Sequence, residues 1–191
     1  SVSDDGRMDI WRYYERGGML TEDRDRDSDG RIDYSAHFAP ATGSLISFSR
    51  DTDFDGQFDL WVRYLGNDRW MESWDRNRDG AADFVFTFRG PASLLKTLGF
   101  DPLETTDLRP VVPSAQWLEV DLDDSYDNRF DSWTRYKEGR VYETGVDATG
   151  DGIPDKWEKV PAAPGAAEPT PSRQAPVERQ DEAPAAPSPE A

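Results

Sequence analysis

Aspartates recur on alternate residues along this chain, each run followed by a turn residue. Two copies are complete: Asp25-x-Asp27-x-Asp29-Gly30-x-x-Asp33 and Asp51-x-Asp53-x-Asp55-Gly56-x-x-Asp59. Three more follow, as Asp75-x-Asn77-x-Asp79-Gly80-x-x-Asp83, Asp123-x-Ser125-x-Asp127-Asn128-x-x-Asp131 and Asp147-x-Thr149-x-Asp151-Gly152-x-x-Asp155. A degenerate copy, Ser1-x-Ser3-x-Asp5-Gly6-x-x-Asp9, opens the chain. Oxygens at loop positions 1, 3 and 5, with a chain reversal at position 6, suit a hard cation of calcium size. Glycine permits the reversal, and Asn128 tolerates the same positive φ better than most residues. Position 9 offers a further carboxylate. Position 7, held by Arg31, Gln57, Ala81, Arg129 and Ile153, offers its backbone carbonyl. Zinc would want His or Cys, but Cys is absent and the single His37 lies outside every loop. Magnesium prefers fewer protein ligands and retained waters. The expected complement is therefore about five Ca2+ ions, with the degenerate Ser1–Asp9 copy left open as a sixth.

The repeats also explain an unusual composition. Among 191 residues, 39 are Asp or Glu and 22 are Lys or Arg, a net charge of −17. With a mean hydropathy of −0.84 this would ordinarily signal disorder. Yet 12% of residues are aromatic, including 7 Trp, which argues for a packed core. The ligand positions with the first copy hold 19 Asp, and Glu158 makes 20, so the other 19 acids nearly balance the 22 bases. The same acidity excludes a nucleic-acid binder, which needs a basic face. Absence of Cys excludes disulfides, and no apolar run is long enough for a transmembrane helix.

The loops resemble those of thrombospondin type 3 repeats and, more broadly, the bacterial Asp-x-Asp-x-Asp-Gly calcium-repeat proteins. That resemblance spans the loops of residues 1–160 and implies a structural or adhesive role in which calcium organises the chain. A weaker resemblance is to FG-GAP propeller loops, where a strand also follows the last Asp. Here the loop glycines, or Asn128, are 24, 26, 24, 48 and 24 residues apart, too frequent for four-stranded blades.

What positions the loops is a second repeat. After each loop, apolar residues alternate: Ile32, Tyr34, Ala36, Phe38; then Phe58, Leu60, Val62, Tyr64; then Ala82, Phe84, Phe86, Phe88. Period two predicts strands with one buried face. Turn residues follow, as in Arg16-Gly17-Gly18 or Glu138-Gly139, and then a returning strand. That strand carries an apolar residue five before each loop: Leu20, Ile46, Trp70, Leu118 and Tyr142. The expected fold is mainly β, an antiparallel meander of hairpins with the calcium loops along one edge. Trp70 and Trp74 are assigned to its core. Trp11, Trp61, Trp133 and Trp157 share one loop position and fall on the opposite, polar face.

Three segments break the pattern. The spacing calls for a loop near residue 104, but the insertion 89–116 holds a short helix near 92–99 and apolar residues Leu94, Leu95, Leu98 and Phe100, suited to plugging the core face. In the last copy, Pro154 could start a short helix over 154–160, bringing Glu158 to position 12 as a bidentate ligand. Residues 161–191 contain 8 Pro and 9 Ala and read as an extended polyproline arm or a disordered tail, distinct from the calcium-repeat domain 1–160.

These features point to a non-enzymatic, calcium-stabilised structural or accessory subunit that makes protein–protein contacts in an extracytoplasmic assembly. Its partner would be a cell-surface ligand or a membrane-embedded complex. The alternative is a calcium-dependent carbohydrate-binding or adhesion module using the Trp row. Weak structural sites fit places rich in calcium, so a periplasmic or secreted location is expected. The start at Ser1 is consistent with a removed leader, and the lack of an N-terminal Cys argues against a lipoprotein anchor. Only 3 Met and no flanking helices argue against a cytosolic calcium sensor. Nearly all regularly placed acids are already assigned to loops, which leaves little for catalysis.

Overall fold

A computed structural model describes residues 8–104 and 107–161. The expectations for Ser1–Gly6, within the first loop, and for the arm from residue 162 onward lie outside the described residues.

Eleven strands form one antiparallel sheet in strict chain order. They are β1 (Ile10–Glu15), β2 (Gly18–Arg24), β3 (Tyr34–Ala39), β4 (Ser44–Arg50), β5 (Leu60–Gly66) and β6 (Arg69–Trp74). Then come β7 (Phe84–Arg89), β8 (Trp117–Leu122), β9 (Ser132–Lys137), β10 (Arg140–Val146) and β11 (Lys156–Lys159). Every acidic loop joins an even strand to the next odd one, so all lie at the same end of the strands. Short turns close the other end, except between β7 and β8. The meander is as the alternation predicts.

Across the ladder, residues in register share a face. One row runs Ala36, Phe48, Val62, Glu72, Phe86, Val120, and it forms the buried face. Trp70 is fully buried there, stacked with Phe88 and tilted against Tyr64. Trp74 packs at the margin of the same core.

The residue five before each loop behaves differently from its pattern. In four hairpins the register slips beside it, leaving Leu20, Ile46, Leu118 and Tyr142 as the extra residue of a bulge. Leu20 and Ile46 are 37% exposed and Tyr142 is 40% exposed. In the β5–β6 hairpin the bulge moves to Leu65 on the outgoing strand, so Trp70 stays paired with Tyr64 and enters the core. A bulge increases local twist, so the sheet is twisted once per hairpin near its turn.

The long spacing between Gly80 and Asn128 does not mark a lost loop. β7 and β8 are direct neighbours, and residues 90–116 replace the tight turn between them. This insertion folds over the core face. Its helix α1 (Leu94–Thr97) ends at Leu98–Gly99, where Gly99 has φ +68°. Leu94, Leu95, Leu108 and Val112 are buried against the sheet. Polar anchors hold it down. Trp70 Nε1 donates to Pro91 O at 3.1 Å and Trp117 Nε1 to Val112 O at 3.0 Å. Arg50 Nη1 donates to Leu103 O at 2.9 Å. The fully buried Glu72 accepts the Leu108 amide at 3.2 Å and Trp74 Nε1 at 2.8 Å. The Arg109 guanidinium lies 4.6 Å from the centre of the Phe84 ring.

At the other end of the chain, 154–160 is not a helix. Lys156–Lys159 instead forms β11 on the free edge of β10. Pro154 suits a helix start, but the unpaired β10 edge supplies backbone partners, and the loop-then-strand rule of the other repeats prevails.

Burial lifts the Glu72 carboxyl to about 7, against the lowering effect of the Trp74 hydrogen bond. A carboxyl whose folded pKa exceeds its unfolded value takes up a proton on folding. Its stabilising share is therefore present in acid and lost as pH rises through about 7. Glu72→Gln should converge with wild type near pH 4 and exceed it by up to roughly 3 kcal/mol at pH 8. Urea unfolding of both proteins across that range, at fixed calcium concentration, checks this.

Candidate cation-binding rim

The five described loops share one backbone solution. Positions 4 and 6 both take positive φ: Ser28 and Gly30, Phe54 and Gly56, Arg78 and Gly80, Tyr126 and Asn128, Gly150 and Gly152. The reversal at position 6 was legible from glycine. The one at position 4 was not, because bulky Phe54 and Tyr126 occupy it at 63° and 59°.

Two aspartates organise each loop. The position-1 carboxylate accepts the position-6 amide: Gly30 to Asp25 at 2.8 Å, Gly56 to Asp51 at 2.7 Å, Gly80 to Asp75 at 2.8 Å, Asn128 to Asp123 at 2.9 Å and Gly152 to Asp147 at 2.6 Å. In four loops it also accepts the position-4 amide, at 2.6–2.7 Å. The position-9 carboxylate accepts the position-2 amide: Arg26 to Asp33, Thr52 to Asp59, Arg76 to Asp83, Asp124 to Asp131 and Ala148 to Asp155. Asp29, Asp55, Asp79, Asp127 and Asp151 accept the position-7 amides of Arg31, Gln57, Ala81, Arg129 and Ile153. Asp27 and Asn77 accept the position-5 amides, while the hydroxyls of Ser125 and Thr149 lie 3.2 Å from the first carboxylate of their loops.

Ligand oxygens of Asp25, Asp27 and Asp29 converge to within 4.8 Å of one another, as do those of Asp51, Asp53 and Asp59. Asp25 Oδ1 and Asp83 Oδ1 are buried without a hydrogen-bond partner. A buried carboxylate oxygen in that state is costly unless a cation or water meets it. Burial lifts Asp33 and Asp59 above the usual carboxylate range, opposed by loop hydrogen bonds and reinforced by neighbouring aspartates. An all-oxygen donor set of this kind fits Ca2+.

Glu158 does not join its loop. As part of β11 it stands three residues beyond Asp155 and pairs with Lys156.

The loops also bond to one another. Each position-1 amide donates to the position-9 carbonyl of the preceding loop: Asp25 to Asp9 at 3.0 Å, Asp51 to Asp33 at 2.8 Å, Asp75 to Asp59 at 2.9 Å, Asp123 to Asp83 at 2.7 Å and Asp147 to Asp131 at 2.9 Å. The Asp123–Asp83 bond carries this line past the insertion. Arginines add cross-links. Arg31 reaches Asp55 O at 3.3 Å, Arg129 reaches Gly150 O, Arg78 pairs with Asp53, and Arg76 reaches Asp123 O at 3.2 Å. Arg26 lies over Phe54 and Arg76 over Tyr126, at 5.5 and 5.6 Å. Two position-7 side chains thus act as staples. Arginine at positions 2, 4 and 7 was the available sequence signal for this.

The four Trp occupy one cross-strand row, but not as a continuous platform. Trp11 and Trp61, like Trp61 and Trp133, are four strands apart, about 19 Å at ~4.8 Å per strand. Trp133 is buried and meets Trp157, whose ring lies under Arg135 at 3.8 Å. Arg135 is itself held by Glu119 and Glu143. That end of the row is structural.

No protein-family model matches the chain, and no curated protein matches it. Among solved structures, it is similar to TarM from S. aureus, as a variant complexed with fondaparinux, alpha-GlcNAc-glycerol and UDP. That likeness has 10% identity and a TM-score of 0.35, and covers 80% of this chain and 20% of that one. A second TarM structure gives 12% identity and a TM-score of 0.31, covering 79% and 21%. The chain thus spans about a fifth of the length of either.

A Cβ on Gly56 would run into the Arg31 guanidinium, whereas one on Gly30 would meet nothing within 4 Å. Both sit at positive φ, where a side chain costs about 1 kcal/mol. Gly30→Ala and Gly56→Ala should each lose about that much stability by urea unfolding in calcium, because the exposed Arg31 head can swing aside from the second.

Proposed function

We propose that this chain is a non-enzymatic structural or accessory subunit stabilised by calcium at its row of aspartate loops, and that it mediates protein–protein contacts in an extracytoplasmic assembly. The carrying observation is the shared loop geometry, with Asp25 Oδ1 and Asp83 Oδ1 buried and unpartnered inside it. The resemblance to calcium-repeat proteins adds weight. The main apolar core lies on one face of the sheet, and among the described residues its cover is the 90–116 insertion, so loop occupancy would contribute much of the stability. One site at a hundredfold excess over its dissociation constant adds about 2.7 kcal/mol. Clustered like charges would oppose folding when calcium is withdrawn.

Calcium at that level is found outside the cytosol, so we place the protein in the periplasm or at the cell surface. No described helix is long and apolar enough to cross a membrane.

Melting followed by circular dichroism checks the cation dependence. Millimolar calcium should raise Tm by more than 10 °C over EGTA, and magnesium should give a small part of that. Equal melts in calcium and EGTA would refute the reading. For the assembly role, isolation from native membranes and extracts in mild detergent should bring down a partner in fixed ratio. Recovery as a lone monomer would remove that part.

A further inference from the structure

The polar face of the sheet holds a groove of about 430 Å³ around Trp61, within the size range of small-ligand sites. Its position follows from the register. Ser49 stands opposite Trp61, and Ser47 opposite Arg63. Met71 is opposite Arg63 on the other side, and His37 is opposite Ser47. The floor is thus narrow and hydroxyl-lined, because serine occupies β4 where bulkier residues would fill the space. Trp61 is half-buried, while Arg63 and His37 are exposed.

The other indoles of the described structure are mostly engaged. Trp70, Trp74 and Trp117 donate their Nε1 to Pro91, Glu72 and Val112. Trp133 and Trp157 contact each other under Arg135. By contrast, no hydrogen bond, ion pair or ring contact within the described residues occupies the side chains of Trp61, Arg63 or His37. A flat apolar ring, two serine hydroxyls and two unpartnered nitrogen-bearing heads therefore face one groove.

We propose that this groove binds a neutral oligosaccharide, with one sugar ring stacked on Trp61 and its hydroxyls met by Ser47, Ser49, Arg63 and His37. A pyranose matches this surface because it has an apolar C–H face edged by hydroxyls. Other ligand classes match less well. The groove lies on a sheet face, where backbone groups are already paired in the ladder, so an added peptide strand has no donors to meet. A polyanion would find two basic side chains on a protein of net charge −17. Gly80 and Ala82 of the third acidic loop line one end of the groove, so the sugar titrations are run in saturating calcium with folding checked by circular dichroism, which keeps failure of this site distinct from failure of the cation reading.

Titration calorimetry and tryptophan fluorescence with a panel of neutral glucan, chitin, mannan and galactan oligosaccharides test the proposal. At least one should bind with a Kd below 1 mM, and Trp61→Ala should weaken it tenfold or more with an unchanged circular-dichroism spectrum. Ser49→Leu, which fills the floor and keeps the indole, should weaken it similarly and serves if Trp61→Ala fails to fold. Silence of the whole panel at 10 mM would overturn the proposal. So would binding that both variants retain, or a groove that takes only acidic polymers or peptides.

Discussion

Every strand connection on the rim depends on a carboxylate receiving backbone amides. A chain that reverses direction in nine residues strands several N–H groups, and no regular ladder is available to take them. The position-1 and position-9 aspartates take them instead, from inside each loop. This explains why those two positions are Asp in all five described loops, while position 3 drifts through Asp, Asn, Ser and Thr. It also separates two roles that the spacing alone superimposes. Some acids shape the loop by accepting amides, and the oxygens they have left over define where positive charge would sit.

The alternation after each loop made the meander legible, and the aspartate spacing placed the loops at one end of it. What remained hidden depended on contacts across repeats. The bulges at Leu20, Ile46, Leu118 and Tyr142 preserve the apolar pattern while shifting its register, and periodicity cannot distinguish the two. Glu158 looked like a twelfth-position ligand because Pro154 resembles a helix start. A neighbouring strand edge decided otherwise. The arginine staples carried a signal that reads differently for a related reason: a base beside an acidic loop is locally a charge balance, and only the sheet spacing brings it to the next loop.

The insertion shows how the two ends of the strands differ. At the loop end each connection bonds to its neighbours through the Asp25–Asp9, Asp51–Asp33 and similar amide links, so extra residues there would break the line. The turn end has no such line. Residues 90–116 enter there, and the Asp123–Asp83 bond remains intact beside them. The segment then covers the apolar face that a single-layer sheet would otherwise expose to water.

Strict sequential pairing has a mechanical consequence. In such an array, each strand is held mainly by the two beside it. The insertion alters this in the middle only: through Arg50, Trp70, Glu72, Phe84 and Trp117 it clamps β4 to β8 under one cover. Strands β1 and β2 on one side, and β10 and β11 on the other, lie beyond the clamp. A pull on either end would therefore peel strands singly until it reached the clamped block, which must yield all at once. Under such a load the strands flanking the clamped block would give way before it does.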